Sequence, residues 1–192
     1  MPVMRMTKDV TALTLATEDV GSLPLHDDFQ LSREHVKRAI LDKVSTGLDY
    51  PCYPQLPGTE EQPMNMNLQF LIPLAESGFG LRVENGNIYQ AGELEKPDHP
   101  IGIERAIFYL NFLKENHLLE KIRGPKACVT GPFTLAGYID RQNILTCGAS
   151  KPEVVSTLAE IVVDTCMEFD KNGFSIITVS YTHLTLPTKR IV

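Results

Sequence analysis

The sequence predicts an α/β fold with a parallel sheet, because short apolar runs alternate with amphipathic helices along the chain. Four apolar runs have the length of buried strands, at about 14–20, 48–52, 126–130 and 174–178. Each is separated from the next by a stretch long enough to cross back over the sheet, as parallel neighbours require. Four such units are half of an eight-stranded barrel, which usually takes about 250 residues. The pattern alone is also consistent with a doubly wound sheet, which is the alternative fold.

Helical periodicity predicts the elements between these strands. Ser32 is a candidate N-cap for the first helix, and Gly173 is a C-terminal stop for the last. Pro73 should kink or end the second, because proline cannot donate a helical hydrogen bond. The periodic segments are 32–46, 63–76, 101–119 and 152–170.

A β-hairpin is predicted between the second and third helices. Asn85 and Gly86 lie between two short strand-like runs, and this dipeptide favours the tight turn of a two-residue hairpin. We expect the hairpin, at about 79–92, to be an insertion that decorates the main fold.

The composition excludes several classes of protein. With 18 Lys and Arg against 24 Asp and Glu, the formal net charge is −6, whereas nucleic-acid binders cluster basic residues. No apolar run approaches the ~18 residues that span a bilayer, and the first ten residues lack the apolar core of a secretory signal. The four cysteines form no CxxC pair, so we expect buried thiols in a reducing compartment. We expect a cytoplasmic protein with no nucleic-acid or membrane partner.

Two glycine-containing segments follow predicted strands, where the loops of a barrel carry its chemistry. Gly21 lets the backbone approach a ligand, and Ser22 offers a hydroxyl and an N–H to a carboxylate. Gly131 and Pro132 place free N–H groups at a helix start, where an anion is favoured, and Thr134 lies in that first turn. A glycine turn capped by a serine and a tight strand-to-helix turn are the alternative interpretations.

Acidic side chains lie near two of the predicted strands. Asp49 and Tyr50 are expected to end the second predicted strand, which makes them candidates for binding a substrate amine or hydroxyl. An ion pair between Asp49 and an arginine is an equal alternative. Glu18 and Asp19 are adjacent, and neighbours in a strand point to opposite faces, so at most one can face a barrel mouth. The spacing identifies no catalytic residue and no metal ligand.

Four segments carry a resemblance to a known superfamily: VGSLPLHDD, TGLDYPCYPQL, PIGIERAIFYL and KACVTGPFTLAGYI. They resemble cobalamin-independent methionine synthase and uroporphyrinogen decarboxylase, and most of all the short, single-barrel methionine-synthase-like branch. The resemblance covers most of residues 20–179, and its GPFTLA motif is shared between branches. It implies a (β/α)8 TIM barrel of the methionine synthase/uroporphyrinogen decarboxylase type, truncated to about its first half. Residues 1–178 would then be the amino-terminal part of that barrel.

The resemblance also implies a methyltransferase that acts in methionine biosynthesis. In that branch a zinc-bound homocysteine thiolate attacks the methyl group of a methylated folate, since zinc lowers the pKa of the thiol. Gly21 and Ser22 match the loop that holds the amino-acid end of homocysteine, and residues 131–134 match a loop of the same pocket. The zinc ligands of the family, a His, two Cys and a Glu, come from later strands and match no residue here. The chain would therefore be an inactive fragment of a zinc enzyme with small-molecule substrates.

Two alternatives remain open at this point. One is a corrinoid-dependent methyltransferase or a uroporphyrinogen decarboxylase-like enzyme on the same fold. The other is a non-catalytic binding domain derived from a barrel. A downstream HxC segment and a late cysteine would favour zinc and thiol alkylation over both.

The last residues differ from the rest of the chain. No acidic residue follows Asp170, and threonine recurs at every third position from 182 to 188. The stretch VSYTHLTLPT can be back-translated into a transposase recognition end joined to a sequencing adapter, read in frame. We therefore expect residues 179–192 to be a non-native tail, with a genuine polar tail as the alternative.

Overall fold

The computed structural model describes residues 16–19, 21, 32–55, 65–143 and 145–180. Within these ranges the chain is a mixed α/β protein, which confirms the predicted class. Its helices and strands, in chain order, are α1 (Arg33–Ser45), α2 (Leu68–Glu76), β1 (Leu81–Glu84), β2 (Asn87–Gln90), α3 (Glu104–Glu115), β3 (Lys126–Thr130), α4 (Pro132–Tyr138), α5 (Pro152–Asn172) and β4 (Ile176–Ser180).

Four extended segments lie side by side and parallel, in the order in which the chain makes them. β3 pairs with β4 over five residues each. Residues 16–19, the first segment, lie beside residues 50–55, the second segment, and the second segment lies beside β3. Each of these two contacts is a single parallel bridge rather than a full strand pairing. These bridges join Glu18 to Tyr50 and Cys52 to Lys126. We call the edge where the four segments begin the amino edge and the edge where they end the carboxyl edge.

The core lies between this parallel array and the helices that cover it. All five residues of β3 are buried, and Phe169 of α5 packs its ring against Phe174, with ring centroids 5.0 Å apart. The apolar stripe predicted for α5 is buried along most of its length, and Gly173 ends the helix with a φ of 96°. β4 is parallel, as predicted, but its residues are only partly buried. Among the described residues it has a strand on one edge only.

Two helices have boundaries that differ from the sequence prediction. α2 begins at Leu68, because the side-chain oxygen of Asn65 accepts the N–H groups of Asn67 and Leu68 and caps this start. Pro73 lies inside α2, which continues to Glu76, so the proline does not end the helix. α3 begins only at Glu104 and ends at Glu115, inside the predicted 101–119.

The predicted hairpin is present, but it is not a decoration. Asn85 and Gly86 have φ angles of 50° and 71°, as the tight hairpin turn requires, and β1 pairs with β2 in antiparallel register. Ile88 of β2 is fully buried and bridges to Ile139, and its carbonyl accepts the N–H of Asp140 at 2.9 Å. The hairpin is therefore built into the core beside α4.

The first two residues of the expected tail belong to β4. Val179 and Ser180 pair with Val129 and Thr130 in the parallel register. Residues 181–192, the rest of the expected tail, lie outside the described residues. No helix in the described ranges is both long and apolar enough to cross a membrane.

Candidate functional site

Gly21 and Gly131 lie at the same edge of the parallel array. The carbonyl of Gly21 accepts the N–H of Gln55, at the end of the second segment, at 2.9 Å. Gly131 directly follows the last residue of β3. Both glycines are therefore at the carboxyl edge, where the loops of parallel α/β folds bind ligands. The first segment and β3 are two strand spacings apart, which corresponds to about 10 Å.

Gly21 occupies a backbone conformation that requires glycine. Its φ is 97°, and a Cβ atom at this position would lie 2.9 Å from the carbonyl oxygen of Tyr53 and 3.2 Å from Sγ of Cys52. The absence of a side chain at Gly21 therefore lets two segments of the protein approach each other, and its contact with a ligand stays a prediction. Ser22, its predicted partner in carboxylate binding, lies outside the described residues.

An ion pair between Asp19 and Lys43 contacts the backbone of Gly21. The Lys43 side chain is 3% exposed, and its Nζ contacts Oδ2 of Asp19 and donates to the Gly21 carbonyl at 3.0 Å. Asp19 also accepts the N–H of Cys52 at 2.7 Å through Oδ1 and the N–H of Gly21 at 3.2 Å through Oδ2. Of the acidic pair noticed in the sequence, Asp19 therefore binds the backbone at Gly21, which we call the Gly21 turn.

The other carboxylate of that pair binds a second buried lysine. Nζ of Lys126 lies 3.0 Å from Oε2 of Glu18 and donates to the Asp19 carbonyl at 2.9 Å. Lys126 is 1% exposed, whereas Glu18 is about half exposed. Glu18 and Asp19 thus bind different partners, Lys126 and Lys43, as expected for neighbours in an extended segment.

The sequence prediction did not include these two lysines, although the amino-acid sequence indicates each of them. Lys43 lies among the buried residues of α1, beside Ile40 and Val44, where an apolar residue is expected. Lys126 opens an otherwise apolar strand. A lysine in a buried position requires a partner, and an acidic pair near the first strand was available.

Asp49 and Tyr50 lie at the opposite edge from the two glycines. The Asp49 carbonyl accepts the N–H of Arg123, which precedes β3, at 2.8 Å, so these residues begin the second segment and do not end it. The Asp49 carboxylate pairs with Nε of Arg123 at 2.8 Å and accepts the N–H of Thr17 at 2.8 Å. The hydrogen bond from the Thr17 N–H, aided by Arg123, holds the pKa of Asp49 below its usual value. The structure therefore favours the arginine pairing, and these two residues do not join the site at the carboxyl edge.

The Gly131 loop differs from the prediction in one respect. The N–H of Gly131 donates to the Ser180 carbonyl at 2.8 Å as part of the β3–β4 pairing, so it is not free for an anion. Pro132 begins α4 and has no N–H. Thr134 lies in the first turn of α4 and is partly exposed, and its side chain has no hydrogen bond to any of the described residues. Thr134 is therefore the polar group that this loop offers to a ligand.

A buried polar network fixes the second segment beneath the carboxyl edge. The Tyr53 hydroxyl donates to the Cys128 carbonyl at 2.9 Å and accepts from the side-chain amides of Gln69, at 3.1 Å, and Gln55, at 3.3 Å. Burial raises the pKa of Tyr53 far above its usual value, so the hydroxyl keeps its proton and serves as a structural hydrogen-bond donor.

The residues present do not form the zinc site that the resemblance implies. No group of three or more His, Cys, Asp and Glu side chains is arranged for a metal ion in the part of the chain that the structure covers. Burial raises the pKa of the Cys52 thiol far above its usual value, whereas a zinc ligand must be a thiolate. We therefore derive no step of a reaction through zinc.

Comparison with known proteins does not assign the chain to a family. Neither the protein-family models nor the curated proteins with which it was compared give a match.

Proposed function

We propose that the chain is the amino-terminal part of a methyltransferase of the cobalamin-independent methionine synthase type. Such an enzyme transfers a methyl group from a methylated folate or a related carrier to the thiol of a homocysteine-like amino acid. The observation that carries the proposal is the position of two motifs. The glycines of VGSLP and GPFTLA, Gly21 and Gly131, come from distant parts of the sequence and both lie at the carboxyl edge of one parallel array.

The strand order supports a barrel over a doubly wound sheet. In a doubly wound sheet the order of strands reverses at the point where the ligand binds. Here the described segments follow one another in chain order from the first segment to β4, which is the order of the strands in a (β/α)8 barrel. Four segments in this order correspond to about half of such a barrel.

In this proposal the described residues bind and orient the amino-acid end of the substrate. The Gly21 turn and the loop around Thr134 approach it from two positions along the carboxyl edge. Among the described residues no group is arranged to activate the substrate thiol, so that chemistry would come from the later strands of the barrel. On this basis the chain by itself binds the amino acid but does not transfer the methyl group.

The test is to recover the source gene by sequencing through the codon for Val179 and to assay the protein that it encodes. We expect the reading frame to continue into an Asp-Glu-Pro strand and then into His and Cys ligands. The full-length protein should methylate L-homocysteine from a methylated folate when zinc is supplied. A genomic VSYTHLTLPTKRIV ending would contradict the fragment proposal, and a full-length protein that lacks these ligands would favour a non-catalytic barrel. Methyl transfer that requires a corrinoid would favour the corrinoid-dependent alternative.

A further inference from the structure

Both polar groups of Gly21 are held by other residues. Its N–H donates to Oδ2 of Asp19 at 3.2 Å. Its carbonyl accepts from Nζ of Lys43 at 3.0 Å and from the N–H of Gln55 at 2.9 Å. Three elements of the fold, the first segment, α1 and the second segment, therefore fix the backbone of Gly21.

The charges behind the turn are costly to bury. Lys43 is almost fully buried, and an ammonium group in such a place destabilises the fold unless it is paired and hydrogen-bonded. Replacing a buried ion pair with well-packed apolar residues is often neutral or stabilising, so stability alone is a weak reason for one. The Asp19–Lys43 pair makes three hydrogen bonds to nearby backbone groups. Asp19 accepts the N–H groups of Gly21 and Cys52, and Lys43 donates to the carbonyl of Gly21.

We propose that Asp19 and Lys43 are positioning residues that hold the backbone of Gly21 in the conformation that the binding of the amino-acid end of the substrate requires. The inference rests on the proposed function, because it takes the Gly21 turn as part of the binding site. Asp19 and Lys43 do not touch the ligand themselves. They act through the Gly21 backbone, so their loss should weaken binding more than it weakens the fold.

The test measures the binding of L-homocysteine to the whole chain by titration calorimetry, for the wild type and for Asp19→Asn, Lys43→Met and the double variant. Each single variant keeps the approximate shape of its side chain and removes the charge. Arg123→Gln is the matched control, because it breaks the Asp49–Arg123 ion pair at the amino edge, away from the turn. Amide hydrogen exchange at Gly21 and urea unfolding are measured on the same samples.

We expect each single variant to raise the Kd for L-homocysteine about tenfold and to accelerate exchange of the Gly21 amide. The double variant should bind about as weakly as either single one, because both side chains act on the backbone of Gly21. Arg123→Gln should leave the Kd and the Gly21 exchange unchanged, even where it lowers the urea midpoint.

The outcomes separate the inference from the proposed function. If the wild type binds L-homocysteine and the variants bind it equally well, the positioning role is wrong and the proposed function stands. If the wild type does not bind L-homocysteine, the ligand proposed for this site is wrong, and the positioning role falls with it. If Asp19→Asn does not fold, Lys43→Met decides, because Asp19 then keeps its bonds to the Gly21 and Cys52 N–H groups.

Discussion

Replacing Gly21 with alanine should destabilise the chain by about 2–5 kcal/mol. An L-residue at the φ of 97° is strained, which costs about 1–2 kcal/mol. The new Cβ would also lie 2.9 Å from the backbone carbonyl of Tyr53, and this overpacking adds about 1–3 kcal/mol, since backbone cannot rotate away as a side chain does.

Gly173 provides a matched control for this substitution. Its φ is 96°, almost the same as that of Gly21, but a Cβ there would meet no atom within 4 Å. Gly173→Ala should therefore cost only the backbone strain, about 1–2 kcal/mol.

Urea unfolding followed by far-ultraviolet circular dichroism measures both effects. With a urea dependence of about 2 kcal/mol per molar, Gly21→Ala should lower the midpoint by about 1 M or more, and Gly173→Ala by clearly less. Equal losses in the two variants would refute the steric contact between Gly21 and the second segment. They would leave backbone strain as the whole effect.

Three further predictions concern charge, thiols and the sheet edge. Because the folded pKa of Asp49 lies below its unfolded value, the stability that it contributes is present above about pH 4 and is lost as the pH falls further. Between pH 6 and pH 3 the urea midpoint of Asp49→Asn should therefore fall less than that of the wild type, and an equal fall would contradict this. Cys166 is partly exposed whereas Cys52 is fully buried, so iodoacetamide should label Cys166 first in the native chain. Peptide mass spectrometry measures the order of labelling, and simultaneous labelling of the two thiols would contradict the burial of Cys52. β4 has an unpaired edge among the described residues, so the chain should self-associate in light scattering after size exclusion, and a monomer at every concentration would count against this edge being open.

Local patterns in the sequence were sufficient to predict most of the elements. Gly173 ends α5 and Asn85-Gly86 turns the hairpin because these residues adopt positive φ angles readily. The apolar stripe of α5 and the strand β3 were predicted because burial on one face gives a helical spacing of apolar residues, and burial on both faces gives a continuous apolar run. Each of these features depends on residues that are close in the sequence.

The parts that were missed depend on residues that are distant in the sequence. Asp49 was placed at the wrong end of its strand, because only the pairing with residues 123 and 124 shows where the second segment begins. Lys43 and Asp19 are 24 residues apart, and nothing in the local pattern of either position indicates the other. The N–H of Gly131, which was predicted to be free, donates to the Ser180 carbonyl. This contact depends on the register between β3 and β4, which cannot be predicted from neighbouring residues.

The chain-ordered array has a consequence for how the protein can be made. Since each extended segment pairs with the one that precedes it in the sequence, every new segment leaving the ribosome finds its neighbour already in place. In the part of the chain that the structure describes, no segment of this array is inserted between two segments that were made before it. β4 is the last of the described segments, and a strand that paired with its edge away from β3 would separate none of the described pairs.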